Sequence, residues 1–127
     1  MKLFITGASS RLGKNLTSEL LKIENVSIRL LEHNTPVKHA SCQTFKANIQ
    51  DPESLNQACS GIDVVIHLAA LTHSNSMKSY LEVNEKGTEN LIAACQKNKV
   101  TRFIYISSAA ATEKAGEYGV SKLRGEE

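Results

Sequence analysis

Short apolar runs rich in β-branched residues alternate with longer segments of helical periodicity along this chain, and this alternation limits its fold more than any other feature. Several short runs are apolar on consecutive residues, which is typical of strands covered on both faces of a sheet. Because helical patterns separate the strands, the order favours a doubly wound parallel α/β sheet. The predicted strands are 2–6, 26–32, 43–47, 62–69 and 102–107; the predicted helices are 12–23, 51–59, 77–97 and a last one from about residue 115; the segment 33–42 is predicted to be a loop.

Bulk composition excludes several classes of protein. The 127 residues fit one domain, 1–127, and a net charge of +2 is too small to indicate a nucleic-acid partner. Cys42, Cys59 and Cys95 lack the CxxC spacing of zinc sites, and the four histidines lack ligand spacing, so no metal is predicted. The amino-terminal sequence turns polar after five residues, unlike a signal peptide, and no apolar run approaches membrane-spanning length. We therefore expect a cytoplasmic protein without a membrane partner.

The segment FITGASSRLGKNL places a glycine turn directly between a predicted strand and a predicted helix. Gly7 can take positive φ in the tight turn, and Gly13 lets the helix pack close to the strand. The helix start then offers free N–H groups and a positive dipole end to a pyrophosphate. Glu32, nineteen residues after Gly13, can accept both hydroxyls of an adenosine ribose. The alternative is a plain βα turn with a solvated Glu32, but strand, helix and acid together favour dinucleotide binding.

A tyrosine and a lysine stand four residues apart in the last predicted helix. Tyr118 and Lys122 therefore lie on one helical face, one turn apart. An ammonium beside a phenol favours the phenolate, so the two residues form a candidate proton-transfer pair. Such a pair is also common by chance on exposed helices. Whether it indicates an active site therefore depends on the motifs around it.

The motifs together resemble the short-chain dehydrogenase/reductase superfamily. The loop TGASSRLG resembles its nucleotide-binding loop, and NIQDPESL, DVVIHLAA, VNEKGTENLIAAC, RFIYISSAA and YGVSK resemble its extended branch, the nucleotide-sugar epimerases and dehydratases. The resemblance runs from residue 2 to 127 and implies a Rossmann-like NAD(P)-binding domain. Extended members continue with further strands and a substrate domain that this chain does not contain. We therefore expect the isolated chain to have no appreciable turnover.

The resemblance also implies which residues bind the cofactor. The loop departs from the family pattern, since Ser10 and Arg11 stand where glycines are usual; their hydroxyl and guanidinium could donate to phosphate oxygens instead. Arg11 could neutralise the extra phosphate of NADP, whereas Glu32 would repel it, and NAD is the predicted cofactor with NADP as the alternative. The implied cofactor-binding residues are Gly7, Ser10, Arg11, Leu12, Gly13, Glu32, Asn48, Ile49, Leu68, Ala69, Ala70 and Lys122.

Three residues carry the chemistry that the resemblance implies. Ser108, favoured over Ser107 by alignment, would orient the substrate. Tyr118 would be the acid/base, and Lys122 would favour its phenolate and hold the nicotinamide ribose.

For three other polar residues, a structural role is weighed against a functional one. By resemblance Asn48 meets the adenine edge, but it could equally be a turn residue at a strand end. Asn84 matches a family position near the site, with helix packing as the alternative. His67 lies inside an apolar strand, and we interpret it as a core histidine.

Two classes of function follow. The first is an NAD-dependent epimerase or dehydratase acting on a nucleotide sugar, with a ketone or alcohol reductase as the nearest variant. The second is a non-catalytic NAD(P)-binding module. We also expect a homo-oligomer, formed either through the 102–107 strand, which would leave an unprotected apolar sheet edge, or through the exposed face of the 115–127 helix.

Overall fold

The computed structural model describes residues 1–37, 39–69, 76–107, 111 and 116–127. Within these ranges the strands are β1 (Lys2–Thr6), β2 (Ser27–Glu32), β3 (Gln43–Lys46), β4 (Val64–His67) and β5 (Arg102–Tyr105). The helices are α1 (Arg11–Leu20), α2 (Pro52–Ala58), α3 (Met77–Tyr80), α4 (Gly87–Lys97) and α5 (Gly116–Glu126). All strand pairs are parallel, in the order β3-β2-β1-β4-β5. The predicted Rossmann-like sheet is confirmed.

Helices cover both faces of the sheet because successive residues of a strand point to opposite sides. Phe4 belongs to a buried cluster that includes Leu55 of α2 and Leu91 of α4. Ile5 belongs to a second cluster, against which Leu16 of α1 packs. This two-sided burial explains why the central strands are apolar on consecutive residues.

Strands β4 and β5 end earlier than predicted. The Leu68 N–H still donates to the carbonyl oxygen of Thr6 at 3.1 Å. The next amide, that of Ala69, donates to the Thr6 hydroxyl at 3.1 Å instead of to a strand. Strand β5 likewise ends at Tyr105, two residues before the predicted end. The regular ladder therefore stops at the carboxyl edge, where doubly wound sheets bind ligands.

The predicted helix 77–97 is continuous, but a π-helical turn, Leu81–Lys86, separates α3 from α4. Such turns often occur at functional sites. Gly87 follows directly and allows close packing, since a Cβ there would lie 2.8 Å from the Ile49 side chain. Apolar periodicity alone does not distinguish this turn from an α-helical one.

Candidate functional site

A cavity of about 470 Å³ opens at the carboxyl ends of β1, β2 and β4. The turn between β1 and α1 forms one wall, and residues from the end of β5 and from α5 form another. The cavity therefore brings together the segments predicted to bind cofactor and to carry chemistry. The predicted site residues that line it are Gly7, Ser10, Leu12, Leu68, Ala69, Tyr118 and Lys122.

Two glycines shape the turn after β1. Gly7 has a φ of 75°, the positive value predicted for it. A Cβ on Gly7 would lie 2.6 Å from the backbone nitrogen of Ala69, so the turn packs directly on the end of β4. A Cβ on Gly13 would collide with the Gly7 carbonyl oxygen and lie 2.7 Å from the Ala8 Cα. Side chains are therefore excluded where backbone must approach backbone.

Ser10 caps α1, a role that the sequence analysis missed. Its hydroxyl accepts the Gly13 N–H at 3.0 Å and donates to the Gly7 carbonyl at 2.8 Å. Because this proton is used inside the turn, the geometry does not favour the predicted donation from Ser10 to phosphate. Within the described residues, the cap leaves the backbone N–H groups of Arg11 and Leu12 free. The exposed Arg11 side chain is not among those lining the cavity.

Glu32 ends β2 beside the cavity, between two residues that line it. Its own side chain does not line the cavity, and its carboxylate accepts the Val37 N–H at a long 3.5 Å. The loop after β2 contributes Asn34 and Thr35, which the sequence analysis missed. Their position after the carboxyl end of a parallel strand was the available signal. The ribose role of Glu32 stays a prediction.

Asn48 and Ile49 lie outside the cavity lining. The Asn48 side-chain oxygen accepts the Gln50 N–H at 2.9 Å, which is the geometry of an Asx turn. Ile49 packs against the main core cluster, and its carbonyl accepts from Asn90 of α4 at 3.2 Å. The geometry agrees with the turn alternative for Asn48; contact with an adenine stays a prediction.

Tyr118 lines the cavity one turn before Lys122 on α5, as the spacing predicts. Its half-buried ring packs against Tyr80 of α3, with 6.2 Å between centroids. This contact holds the phenol at the cavity wall.

Of the two adjacent serines, Ser107 lines the cavity. Its hydroxyl donates to the carboxylate of Glu126 in the last turn of α5. Ser108, the predicted catalytic serine, lies outside the described residues, as does Ala70. The predicted roles of both therefore stay predictions.

The Lys122 ammonium is buried against backbone and an aromatic face. It donates to the Ile106 carbonyl at 3.0 Å and lies 4.4 Å from the Tyr105 ring centroid. Burial lowers the pKa of Lys122, and the Glu126 carboxylate opposes that shift. Burial also raises the pKa of Tyr105 to about 12, with the charges of Glu126 and Tyr118 adding to the effect. The site thus holds a fixed cation one helical turn from the Tyr118 phenol.

His67 is 1% exposed and bonded at both ring nitrogens. Its Nδ1 lies 2.6 Å from Thr6 Oγ1, and its Nε2 lies 3.0 Å from Thr88 Oγ1. Burial, with a smaller contribution from Lys122, lowers the pKa of His67 to about 3. A neutral imidazole with two partners agrees with the predicted core role.

Asn84 is buried in the π-helical turn and contacts α5 rather than the cavity. Its side-chain amide donates to the Ser121 hydroxyl at 2.8 Å. Ser121 in turn donates to the Tyr118 carbonyl at 2.7 Å. These two contacts agree with the helix-packing alternative.

In the described part of the chain, no group of three or more His, Cys, Asp or Glu side chains is placed to hold a metal ion. The helices described there are too short and too polar to cross a membrane.

The fold and the cavity define a dinucleotide-binding domain of the short-chain dehydrogenase/reductase type, with its tyrosine and lysine on one helix. Residues 4–127 match the sequence profile of the 3-beta hydroxysteroid dehydrogenase/isomerase family, and the chain belongs to that family. The match confirms the resemblance to the extended branch of the superfamily.

A characterised relative is the 4-hydroxy-2-methyl-3-oxo-4-farnesyl-3,4-dihydroquinoline-1-oxide ketoreductase of Stigmatella aurantiaca. It is 31% identical over 115 residues, which cover 87% of this chain and 34% of the relative. This chain therefore spans about a third of that protein's length.

Two solved structures share the fold. A uronate dehydrogenase variant from Agrobacterium tumefaciens, complexed with NAD, has a TM-score of 0.87 at 23% identity, over 98% of this chain and 53% of that one. The UDP-Glc/GlcNAc 4-epimerase of Campylobacter jejuni has a TM-score of 0.85 at 22% identity, over 98% and 46%. The chain spans about half of each structure.

Proposed function

We propose that this chain binds NAD and serves an oxidoreductase that interconverts a secondary alcohol and a ketone. One observation carries the proposal: the turn after β1 and the Tyr118–Lys122 pair line the same cavity. A phosphate-binding turn alone would suit any nucleotide, and a tyrosine–lysine pair alone would suit any exposed helix. Their meeting in one cavity at the carboxyl edge of the sheet favours dinucleotide chemistry.

The residues present fit NAD. The Gly7 turn packs on the end of β4 and opens onto the cavity, and the free N–H groups of Arg11 and Leu12 would donate to a pyrophosphate at the positive end of α1. Lys122 would hold the ribose next to the nicotinamide and favour the phenolate of Tyr118. Tyr118 would then take or give the proton of the substrate hydroxyl. Bound NAD supplies a ring that accepts or donates hydride.

The proposed substrate is a nucleotide sugar, supported by the epimerase-like motifs in the sequence. A ketone is the second candidate, supported by the 31% identity to a ketoreductase. Saturation-transfer NMR on the NAD-loaded chain with UDP-glucose and with a β-keto acid separates them. Transfer to UDP-glucose alone favours the first substrate class, and transfer to the keto acid alone favours the second.

The cofactor is tested by calorimetric titration with NAD and NADP. We expect NAD to bind more tightly by about tenfold or more, because a carboxylate at the ribose would repel a 2′-phosphate at a cost of ~1–3 kcal/mol. Glu32→Gln should reduce the ratio of NAD affinity to NADP affinity. Glu24→Gln, at an exposed position after α1, should leave this ratio unchanged. Absence of NAD binding would refute the proposal, and equal binding of NADP would remove Glu32 from its role.

A further inference from the structure

Six hydrogen bonds connect the cavity to the helix of Tyr118 through buried side chains. Five side chains take part, each at most 2% exposed: Thr6, His67, Asn84, Thr88 and Ser121. The first bonds run from the Ala69 N–H to Thr6 Oγ1 at 3.1 Å and between Thr6 and His67 Nδ1 at 2.6 Å. The next join His67 Nε2 to Thr88 at 3.0 Å and Thr88 to the Asn84 carbonyl at 2.8 Å. The Asn84 side chain then reaches Ser121, which bonds to the Tyr118 carbonyl.

The carbonyl acceptors determine the direction of these bonds. The Asn84 carbonyl can only accept, so the Thr88 hydroxyl donates to it and must accept from His67 Nε2–H. A neutral imidazole carries one N–H, so its Nδ1 accepts from the Thr6 hydroxyl. Thr6 is then free to accept from Ala69, as observed. Donors and acceptors alternate without conflict only for the Nε2–H tautomer of His67.

We propose that His67, as its Nε2–H tautomer, is a positioning residue that ties the cofactor side of the cavity to the helix carrying Tyr118 and Lys122. On one side, Thr6 and Ala69 hold the end of β4 against which the Gly7 turn packs. On the other side, Thr88 and Asn84 hold α5. The inference that the two walls of the cavity are coupled for catalysis rests on the proposed function. The assignment of the His67 tautomer does not rest on it.

The tautomer is tested directly on the unmodified chain by ¹⁵N NMR of histidine-labelled protein between pH 5 and pH 8. We expect one histidine with protonated Nε2 and unprotonated Nδ1 throughout this range. The charged group that acts on its pKa is Lys122, and the rings of Phe103 and Tyr105 flank it. A protonated Nδ1, or titration to the imidazolium within this range, would overturn the inference without reference to any cofactor.

The positioning role is tested by amide hydrogen exchange in α5, measured with and without NAD. In the wild type we expect NAD to slow exchange of the amides at 119–123. Thr88→Val removes one link and should reduce this slowing about fivefold, while Thr88→Ser keeps the hydroxyl and should restore it. Equal slowing in Thr88→Val and wild type would overturn the positioning role. If NAD does not bind, the proposed function fails, and the NMR result alone decides the tautomer.

Discussion

At the scale of single residues, two basic side chains in the described part of the chain are buried in different ways. His67 is neutral and bonded at both nitrogens by threonine hydroxyls. The Lys122 side chain donates to a carbonyl oxygen and lies over an aromatic face. The first arrangement suits a residue that orders its surroundings, and the second suits a cation that faces a ligand. Their responses to pH and to mutation should differ accordingly.

His67 should make the chain less stable in mild acid. Its pKa of about 3 in the folded state lies below the ordinary value of 6.5, so the unfolded chain binds the proton more readily between these values. The free energy of unfolding should therefore fall as pH drops from 6.5 towards 3, by up to about 1.4 kcal/mol per pH unit. Urea unfolding at several pH values measures the slope. His67→Asn should remove this contribution and His33→Asn, at an exposed position, should not; an unchanged slope in His67→Asn would contradict the prediction.

Lys122→Met should lower NAD affinity while leaving the stability of the fold nearly unchanged. The variant removes the cost of burying an ammonium but takes the donor from the Ile106 carbonyl, so we expect the two effects to offset and the free energy of unfolding to change by less than about 1 kcal/mol. NAD affinity should fall about tenfold or more, because a hydrogen bond from a charged group is lost. Urea unfolding and calorimetry provide the two measurements. Lys14→Met, at an exposed position on α1, is the control; a destabilised variant with unchanged NAD affinity would assign Lys122 a structural role.

The geometry that the sequence predicts correctly is the part that depends on local chain order, and the roles of the site residues stay predictions. Gly7 was predictable because a turn between a strand and a helix needs positive φ. Tyr118 and Lys122 were predictable because a four-residue spacing fixes a common helical face. The Ser10 cap and the Asn48 turn depend on which of several nearby donors each side chain reaches. That competition is decided by backbone geometry, which a sequence pattern does not contain.

At the scale of secondary-structure elements, the position of α5 depends on Gly125, whose missing side chain lets the helix pack closely against its neighbours. A Cβ on Gly125 would lie 2.8 Å from the Asn84 carbonyl and would collide with the Tyr105 hydroxyl. The last turn of α5 therefore touches both the π-helical turn and β5. This contact determines how deeply the helix carrying the tyrosine–lysine pair sits.

Gly125→Ala should destabilise the chain although alanine is the better helix former. The helical gain is about 1 kcal/mol, and the collision costs about 1–3 kcal/mol, so we expect a net loss. Adding Tyr105→Phe removes one of the colliding atoms, and the double variant should lose less stability than the two single variants summed. Chemical unfolding of the four proteins gives this coupling. If the losses of stability of the two single variants add up to that of the double variant, or if Gly125→Ala is as stable as the wild type, then α5 can shift without cost and the prediction is wrong.

The order of strands and helices was predictable because it follows from apolar periodicity. The π-helical turn was not, because over the six residues Leu81–Lys86 the pattern of apolar residues does not distinguish a π-helical turn from an α-helical one. What distinguishes it is tertiary: the close approach of Gly87 to Ile49 and the contact of Asn84 with Ser121. Both contacts join segments that are distant in the chain.

At the scale of the whole molecule, the two sheet edges differ in character. Strand β3 presents exposed polar side chains at its edge, including Thr44 and Lys46. Strand β5 presents Ile104, which is 39% exposed, and no described strand pairs with its outer side. An edge of this kind, whose charge is confined to Arg102 at the start of the strand, offers free backbone groups to a second chain.

Self-association through β5 should therefore depend on Ile104. We expect light scattering to show a molecular mass that rises with concentration, and Ile104→Lys should shift the chain towards monomer because a charge opposes edge pairing. Thr44→Lys, a matched change on the β3 edge, should have little effect. A wild-type monomer at high concentration, or equal effects of both variants, would exclude β5 as the contact.

The position of β1 has a consequence for the chain during its synthesis. Of the described strands, β1 leaves the ribosome first, yet it lies in the middle of the sheet and pairs with both β2 and β4. The Gly7 turn packs on the backbone of Ala69, so it gains its support only when β4 has emerged. Until then a nascent chain presents one unpaired apolar side of β1. A translational pause before β4 has emerged would thus expose one side of the central strand, whereas a pause after β4 has emerged would leave only β5, among the described strands, to be added.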